Sequence, residues 1–222
     1  MNHFESKEWQ TARIVHVSVD PQNDFCPGGN LGVKDGDKIM PKLNQLARLA
    51  RRASGIVVVT RDWHPADTNH FEKDGGPWPV HCVADTFGAE FHEDLEVLEG
   101  DIIISKGTLV DEDAYSGFQG TDVTGRTLEQ IITPTRGERV IVTIGGLATD
   151  YCDKATVLDG LQVATKYVDL VKIIAVTDAM KGVNINPGDD KNAIREMEEA
   201  GAVLLTVNEV AEHLGRLGLV SA

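Results

Sequence analysis

Residues 139–161 read RVIVTIGGLATDYCDKATVLDGL, and the order of residue types in this stretch decides the fold. The run at 139–145 is rich in Val and Ile and lacks apolar–polar alternation, as a strand covered on both faces should. A Gly-Gly pair ends it, and residues 150–161 then read as a helix. Cys152 therefore falls at the start of a helix that directly follows a buried strand. Four comparable runs lie elsewhere: 13–20 (RIVHVSVD), 55–60 (GIVVVT), 101–105 (DIIIS) and 172–177 (KIIAVT). A sixth, 202–206 (AVLLT), follows Gly201. Between the runs, residues 38–53 carry Ile39, Leu43, Leu46, Ala47 and Ala50 at helical spacing. Residues 189–200 form another helical pattern, closed by Gly201. Asn208 is the expected N-cap of a last helix over 209–214. This alternation predicts an α/β fold: a doubly wound, mostly parallel six-stranded sheet with helices on both faces. No repeat, low-complexity tract or linker interrupts the pattern, so 1–222 is expected to form one domain. Residues 62–99 show little periodicity, and a long irregular segment inside a compact domain usually serves function.

The composition narrows the function classes. The 222 residues are 41% hydrophobic and 25% charged, with a net charge of −14. Roughly 70% of the unfolded surface can be buried at this size, so the core requires neither a disulfide nor a structural metal. The acidic balance repels phosphate backbones, which argues against nucleic acid as a partner. No apolar run approaches the roughly 20 residues of a membrane span, so no membrane partner is expected. The opening MNHFESKEWQTAR carries charges where a signal peptide needs an apolar stretch. Three cysteines (Cys26, Cys82, Cys152) without a CxxC pair fit a reducing compartment. The expected location is cytoplasmic, and assembly as a homo-oligomer is left open.

Chemistry is expected beyond the carboxyl ends of the strands, where open α/β sheets bind ligands. Asp20 ends the first strand, Asp62 and His64 follow the second, Lys106 the third and Cys152 the fourth. Each has a plainer reading alone. Asp20 precedes Pro21 and could open a turn. Cys152 could be a small buried hydrophobe, and Lys106 a solvated side chain. Their shared rim favours chemistry. A helix N-terminus stabilises a thiolate and lowers the thiol pKa, and a lysine directly after a buried strand is placed to pair with an acid. Asp62 and His64, with the later His81, supply a carboxylate and two imidazoles. That set suits zinc, iron or manganese with positions left for water or substrate. A DxH pair alone also occurs as a hydrogen-bonded loop pair. His70, six residues after His64, is a further candidate ligand, its alternative being a supporting or surface histidine. His3, His16, His92 and His213 are read as structural or solvent-exposed.

The segments VDPQNDFCPGGNL, TRDWHPADTNHF, WPVHCV, SKG, YSGF and GLATDYC occur in this order. Together they resemble the nicotinamidases and pyrazinamidases of the isochorismatase-like cysteine hydrolase superfamily, over residues 13–206. The resemblance implies a catalytic triad of Asp20, Lys106 and Cys152. It implies one divalent transition metal, zinc ahead of iron or manganese, on Asp62, His64 and His81, with His70 an added candidate. It implies an oxyanion hole from the N–H groups of Ala148 and Cys152, with a cis peptide between Leu147 and Ala148. Phe25 and Trp78 match residues that flank a pyridine ring, and Leu147 and Tyr151 are expected in the substrate pocket. The implied reaction is hydrolysis of nicotinamide to nicotinate and ammonia through a cysteine thioester, in NAD salvage, with pyrazinamide a second small-molecule substrate. Tyr151 occupies a variable position in the family and leaves ring selectivity open. Residues 108–127 are polar and loop-like, a candidate cover for the site. The runner-up is a metal-independent isochorismatase-like or other small-amide hydrolase; such relatives generally lack the DxH…H set present here. A non-catalytic binding module on the same fold would be expected to lack Asp20, Lys106 or Cys152, and all three are present.

Overall fold

The structure, a computed structural model, describes residues 7–220; His3 lies outside them. The elements run β1 (Arg13–Val19), α1 (Met40–Arg52), β2 (Ile56–Asp62), β3 (Ile102–Lys106), α2 (Leu128–Ile132), β4 (Val140–Leu147), α3 (Lys154–Thr165), β5 (Val171–Lys181), α4 (Asp189–Glu199), β6 (Val203–Leu205) and α5 (Val207–Arg216). Among the described residues, six strands form one sheet in the order β3-β2-β1-β4-β5-β6. Every pairing is parallel.

Burial on both faces explains the unbroken apolar runs. Along β1, Ile14 packs with α1 and α5, while Val15, Val17 and Val19 pack with α2 and α3. Helix α1 begins with Pro41 in its first turn, where the missing N–H has no intrahelical partner to lose. Its apolar stripe of Met40, Leu43, Leu46, Ala47 and Ala50 is buried on the sheet. The chain order reverses between β1 and β4, the switch point at which doubly wound sheets open a crevice. Register places Val19 beside Gly146 and Asp62 beside Lys106, so four strand ends reach one rim. No helix among the described residues is long and apolar enough to cross a membrane.

Several element boundaries differ from the sequence reading, and one helix was not foreseen. The first helix starts with a tight 3-10 turn at Gly36–Ile39 and becomes α-helical only at Met40. The last helix is capped by Thr206 rather than Asn208: the Glu209 N–H donates to Thr206 Oγ1 at 3.3 Å, and the Thr206 N–H donates to the Glu209 carboxylate at 2.7 Å. This reciprocal box satisfies two N–H groups that a cap at Asn208 would leave orphaned. Helix α2 was not foreseen, because five residues are too few for periodicity; a similar box between Thr127 and Gln130 starts it.

Candidate active site

A pocket opens at this rim, walled by residues that follow each of the strands β1 to β5. Asp20 is the first residue after β1 and adopts φ 47°, a left-handed conformation that Asp tolerates better than most residues. Its N–H donates to Thr60 Oγ1 at 3.2 Å, and the Thr60 hydroxyl donates to Asp20 Oδ1 at 2.6 Å. Lys106 ends β3 with its side chain wholly buried. Its Nζ lies 2.9 Å from Asp20 Oδ2, touches the Asp62 carboxylate, and lies 3.6 Å from Cys152 Sγ. It also donates to Ala114 O at 3.3 Å. Cys152 occupies a π-helical turn, Thr149–Asp153, that leads from the end of β4 into α3. The peptide joining Leu147 to Ala148 is cis.

The electrostatics follow from one buried cation among three anionic or potentially anionic groups. Burial opposes charge on Lys106, but Asp20 and Asp62 outweigh it and hold the ammonium well above its ordinary pKa. Burial also opposes charge on Asp62, yet Lys106, His64 and His81 keep that carboxyl below the usual range. Asp20 is pushed up by burial, with Lys106 opposing and Asp62 adding to the rise. Cys152 is pushed up by burial as well, against the pull of Lys106. This corrects the expectation that the start of a helix leaves a low thiol pKa: the sulfur is enclosed, and desolvation outweighs the dipole. The resting pair is an ionised Asp62–Lys106 bridge beside a more basic Asp20 and a neutral thiol.

The imidazoles stand on the other side of Asp62. His64 Nδ1 lies 3.0 Å from Gly107 O, and His81 Nδ1 lies 2.7 Å from Pro79 O. A carbonyl can only accept, so both rings carry their proton on Nδ1 and leave Nε2 as a lone pair. Those Nε2 atoms lie 3.6 and 3.9 Å from Asp62 Oδ2. Burial pushes the His81 pKa down to about 4 and lowers that of His70, which keeps both rings neutral at pH 7. One potential ligand atom each from His64, His70 and His81 falls within 4.8 Å of the others. His64 Nε2 is buried without a hydrogen-bond partner. Three converging imidazoles beside an ionised carboxylate are a donor set that fits a divalent transition metal. Gly107 is required for this packing: at φ +63° an added Cβ would stand 2.4 Å from His64 Cε1.

Gln22 fixes the shared carboxylate. Its side-chain amide accepts the Asp62 N–H at 2.8 Å and donates to Asp62 O at 2.7 Å and Ala89 O at 2.9 Å. Neither Gln22 nor Tyr115 was singled out from the sequence, although both lie inside the quoted segments VDPQNDF and YSGF. Tyr115 joins the aromatic wall with Phe25, Trp78 and Tyr151. Trp78 Nε1 donates to the Tyr115 hydroxyl at 2.9 Å, and the Trp78 and Tyr151 rings meet edge-on with centroids 4.9 Å apart. Ala148 also lines the pocket. Leu147 does not: its side chain is wholly buried in the core layer beneath α1. Among the remaining histidines, His16 is a core residue between Thr143 Oγ1 and Ser18 Oγ, each 3.0 Å away. His213 is buried in α5, and the His92 ring accepts the Asp94 N–H at 3.2 Å.

Residues 15–209 match the isochorismatase domain model. The chain belongs to the isochorismatase family. Within that family, a nicotinamidase of Escherichia coli (strain K12) is 36% identical over 213 residues, covering 89% of this chain and 96% of that protein. A pyrazinamidase of Pyrococcus horikoshii, solved in complex with zinc, is 42% identical with a TM-score of 0.75, over 87% of this chain and 99% of that one. PnC1 from L. infantum, solved with nicotinate, is 29% identical with a TM-score of 0.72, over 89% and 94% of the two chains.

Proposed function

We propose that this isochorismatase-family chain acts as one hydrolase domain, a nicotinamidase that converts nicotinamide to nicotinate and ammonia in NAD salvage and also accepts pyrazinamide. The observation that carries the reading is one pocket lined by Cys152, which contacts the buried Lys106–Asp20 pair, and by Asp62, His70 and His81 of an Asp–His cluster, the two sets meeting where Lys106 touches Asp62. The names of the relatives above support it. Asp62, His64, His81 and His70 would hold one divalent transition metal, zinc by preference, which when bound supplies a Lewis-acid anchor for the ring nitrogen.

The chain's own residues carry the acyl transfer. Cys152 gives its proton to Asp20 as sulfur attacks the carboxamide carbon. Between free side chains that transfer is uphill by about 6 kcal/mol. The site narrows the gap on the Asp20 side; burial of the thiol widens it, and Lys106 offsets part of that rise. Burial makes Asp20 a stronger base, and Lys106, 3.6 Å from Sγ, favours charge on sulfur. Asp62 shares the ammonium, so Lys106 orients Asp20 without holding it fully ionised. The N–H groups of Ala148 and Cys152 receive the developing oxyanion, each worth about 3–4 kcal/mol by the measure of known donors. Asp20 then passes its proton to the departing nitrogen, which leaves as ammonia. A water attacks the thioester with Asp20 as base, and nicotinate leaves as Cys152 regains its proton. Phe25, Trp78, Tyr115 and Tyr151 hold the ring so that the carboxamide meets the sulfur.

The test is ammonia and nicotinate release from nicotinamide by zinc-loaded, chelated and reloaded protein. Equimolar products, lost on chelation and restored by zinc, are expected. A zinc-loaded protein that leaves nicotinamide intact would reject the reading. Chelator-resistant turnover of other small amides would favour the metal-independent alternative.

A further inference from the structure

The three imidazoles of the cluster are not held alike. His64 and His81 each turn Nδ1 to a main-chain carbonyl, at 3.0 and 2.7 Å. His70 turns Nδ1 to a side chain: Asp113 Oδ1 lies 2.6 Å away. The approach is oblique rather than a linear hydrogen bond. The Asp113 side chain is 63% exposed, against 4% for His70.

Asp113 belongs to the segment between β3 and α2, which is laced to the loop that carries His70. The Asn69 N–H and the Thr68 hydroxyl both donate to Val110 O, at 2.9 and 3.0 Å, and the Asn69 side-chain amide meets the Asp111 carboxylate. Two residues beyond Asp113, the Tyr115 hydroxyl accepts from Trp78 Nε1 in the pocket wall. The carboxylate facing His70 and an aromatic wall of the pocket therefore ride on one short stretch of chain.

We infer that Asp113 is a positioning residue for His70, and that it couples the placement of this segment to how tightly the cluster holds a divalent transition metal. By accepting a hydrogen bond from Nδ1–H, the carboxylate fixes the tautomer and leaves Nε2 for the metal, and it raises the basicity of the ring. Main-chain carbonyls do the same for His64 and His81 without ordering a side chain; an exposed carboxylate must give up rotamer freedom. His70 is thus the adjustable ligand, and the Asp113 segment adjusts it. The inference rests on the reading that His70 contributes to the metal site.

The test is zinc affinity of the full chain, by competition with a chromophoric chelator, together with the absorption spectrum of the cobalt(II)-loaded protein. Asp113→Ala should weaken zinc binding about 10–100-fold and alter the cobalt spectrum. Asp113→Asn, whose amide oxygen still accepts a hydrogen bond from Nδ1–H, should lose less. Asp111→Ala, on the same segment but facing Asn69, should weaken zinc binding clearly less than Asp113→Ala. Adding Asp113→Ala to His70→Ala should cost nothing further. Unchanged affinity in Asp113→Ala, with His70→Ala clearly weakened, would overturn the role of Asp113 alone. Unchanged affinity in His70→Ala would remove His70 from the site and the inference with it. An equal loss in Asp111→Ala would assign the effect to general loosening of the segment and overturn the inference.

Discussion

The two halves of the pocket are built differently. Asp20, Lys106 and Asp62 stand at the ends of parallel strands, where the sheet register fixes them against each other, and Cys152 follows β4 within one turn. His70, Trp78, His81 and Tyr115 stand in irregular segments, held by contacts to carbonyls, one carboxylate and each other. The side chains proposed to exchange protons are placed by the sheet and its register. Those proposed to orient a ring or hold a metal, Asp62 and His64 apart, are placed by irregular segments. A division of this kind suits an enzyme whose acyl transfer is intolerant of displacement but whose substrate must enter and leave.

The comparison breaks first at the sheet-borne half. Cys152→Ala should lower kcat by several orders of magnitude, read as ammonia release, while the circular dichroism spectrum stays that of the parent. Near-parental turnover would remove Cys152 as nucleophile. Next, Asp20→Asn and Lys106→Met should act as a unit: the double variant should lose about as much kcat as either single one. Rate losses that multiply would show two independent contributions instead. At the loop-borne half the effect should be smaller and reversible. His64→Ala should bind zinc far more weakly than His70→Ala, and excess zinc should restore much of the activity of His70→Ala only. Equal rescue of both would erase the difference between carbonyl-held and carboxylate-held imidazoles.

The same division explains what the sequence disclosed. Asp20, Lys106 and Cys152 were legible without any family knowledge, because buried apolar runs mark strands and the switch-point rule says where strand ends meet. Trp78 and the cis peptide at Leu147 rested on motif resemblance, and His81 on its residue type alone beside the DxH pair, since no periodicity positions a loop. Gln22 lay within a quoted segment, but its clamp on the Asp62 backbone depends on two chain segments 40 residues apart. Leu147 was placed in the pocket by its neighbours in sequence, whereas the pleat of β4 turns its side chain into the core. The raised thiol pKa was missed because a helix start is visible in sequence and enclosure is not.

A smaller prediction concerns the sheet itself. Burial pushes the His16 pKa down to about 3, against about 6.5 for a solvated ring. Between these values the unfolded chain takes a proton that the folded chain refuses, so stability is full above about pH 6.5 and falls as the pH drops toward 3. The slope from this one group approaches about 1.4 kcal/mol per pH unit in the middle of that window. Urea unfolding of His16→Gln at pH 7 and pH 4.5 should show a shallower acid loss than the parent. An identical slope would mean that His16 does not set it.

The account turns on an acyl group passing through Cys152, and partitioning with hydroxylamine tests that step most directly. A thioester can be captured by hydroxylamine in competition with water. The zinc-loaded protein turning over nicotinamide should then form the hydroxamate of nicotinic acid alongside nicotinate, and Cys152→Ala should form neither. Turnover that yields nicotinate alone, at hydroxylamine concentrations that capture free thioesters, would contradict the account.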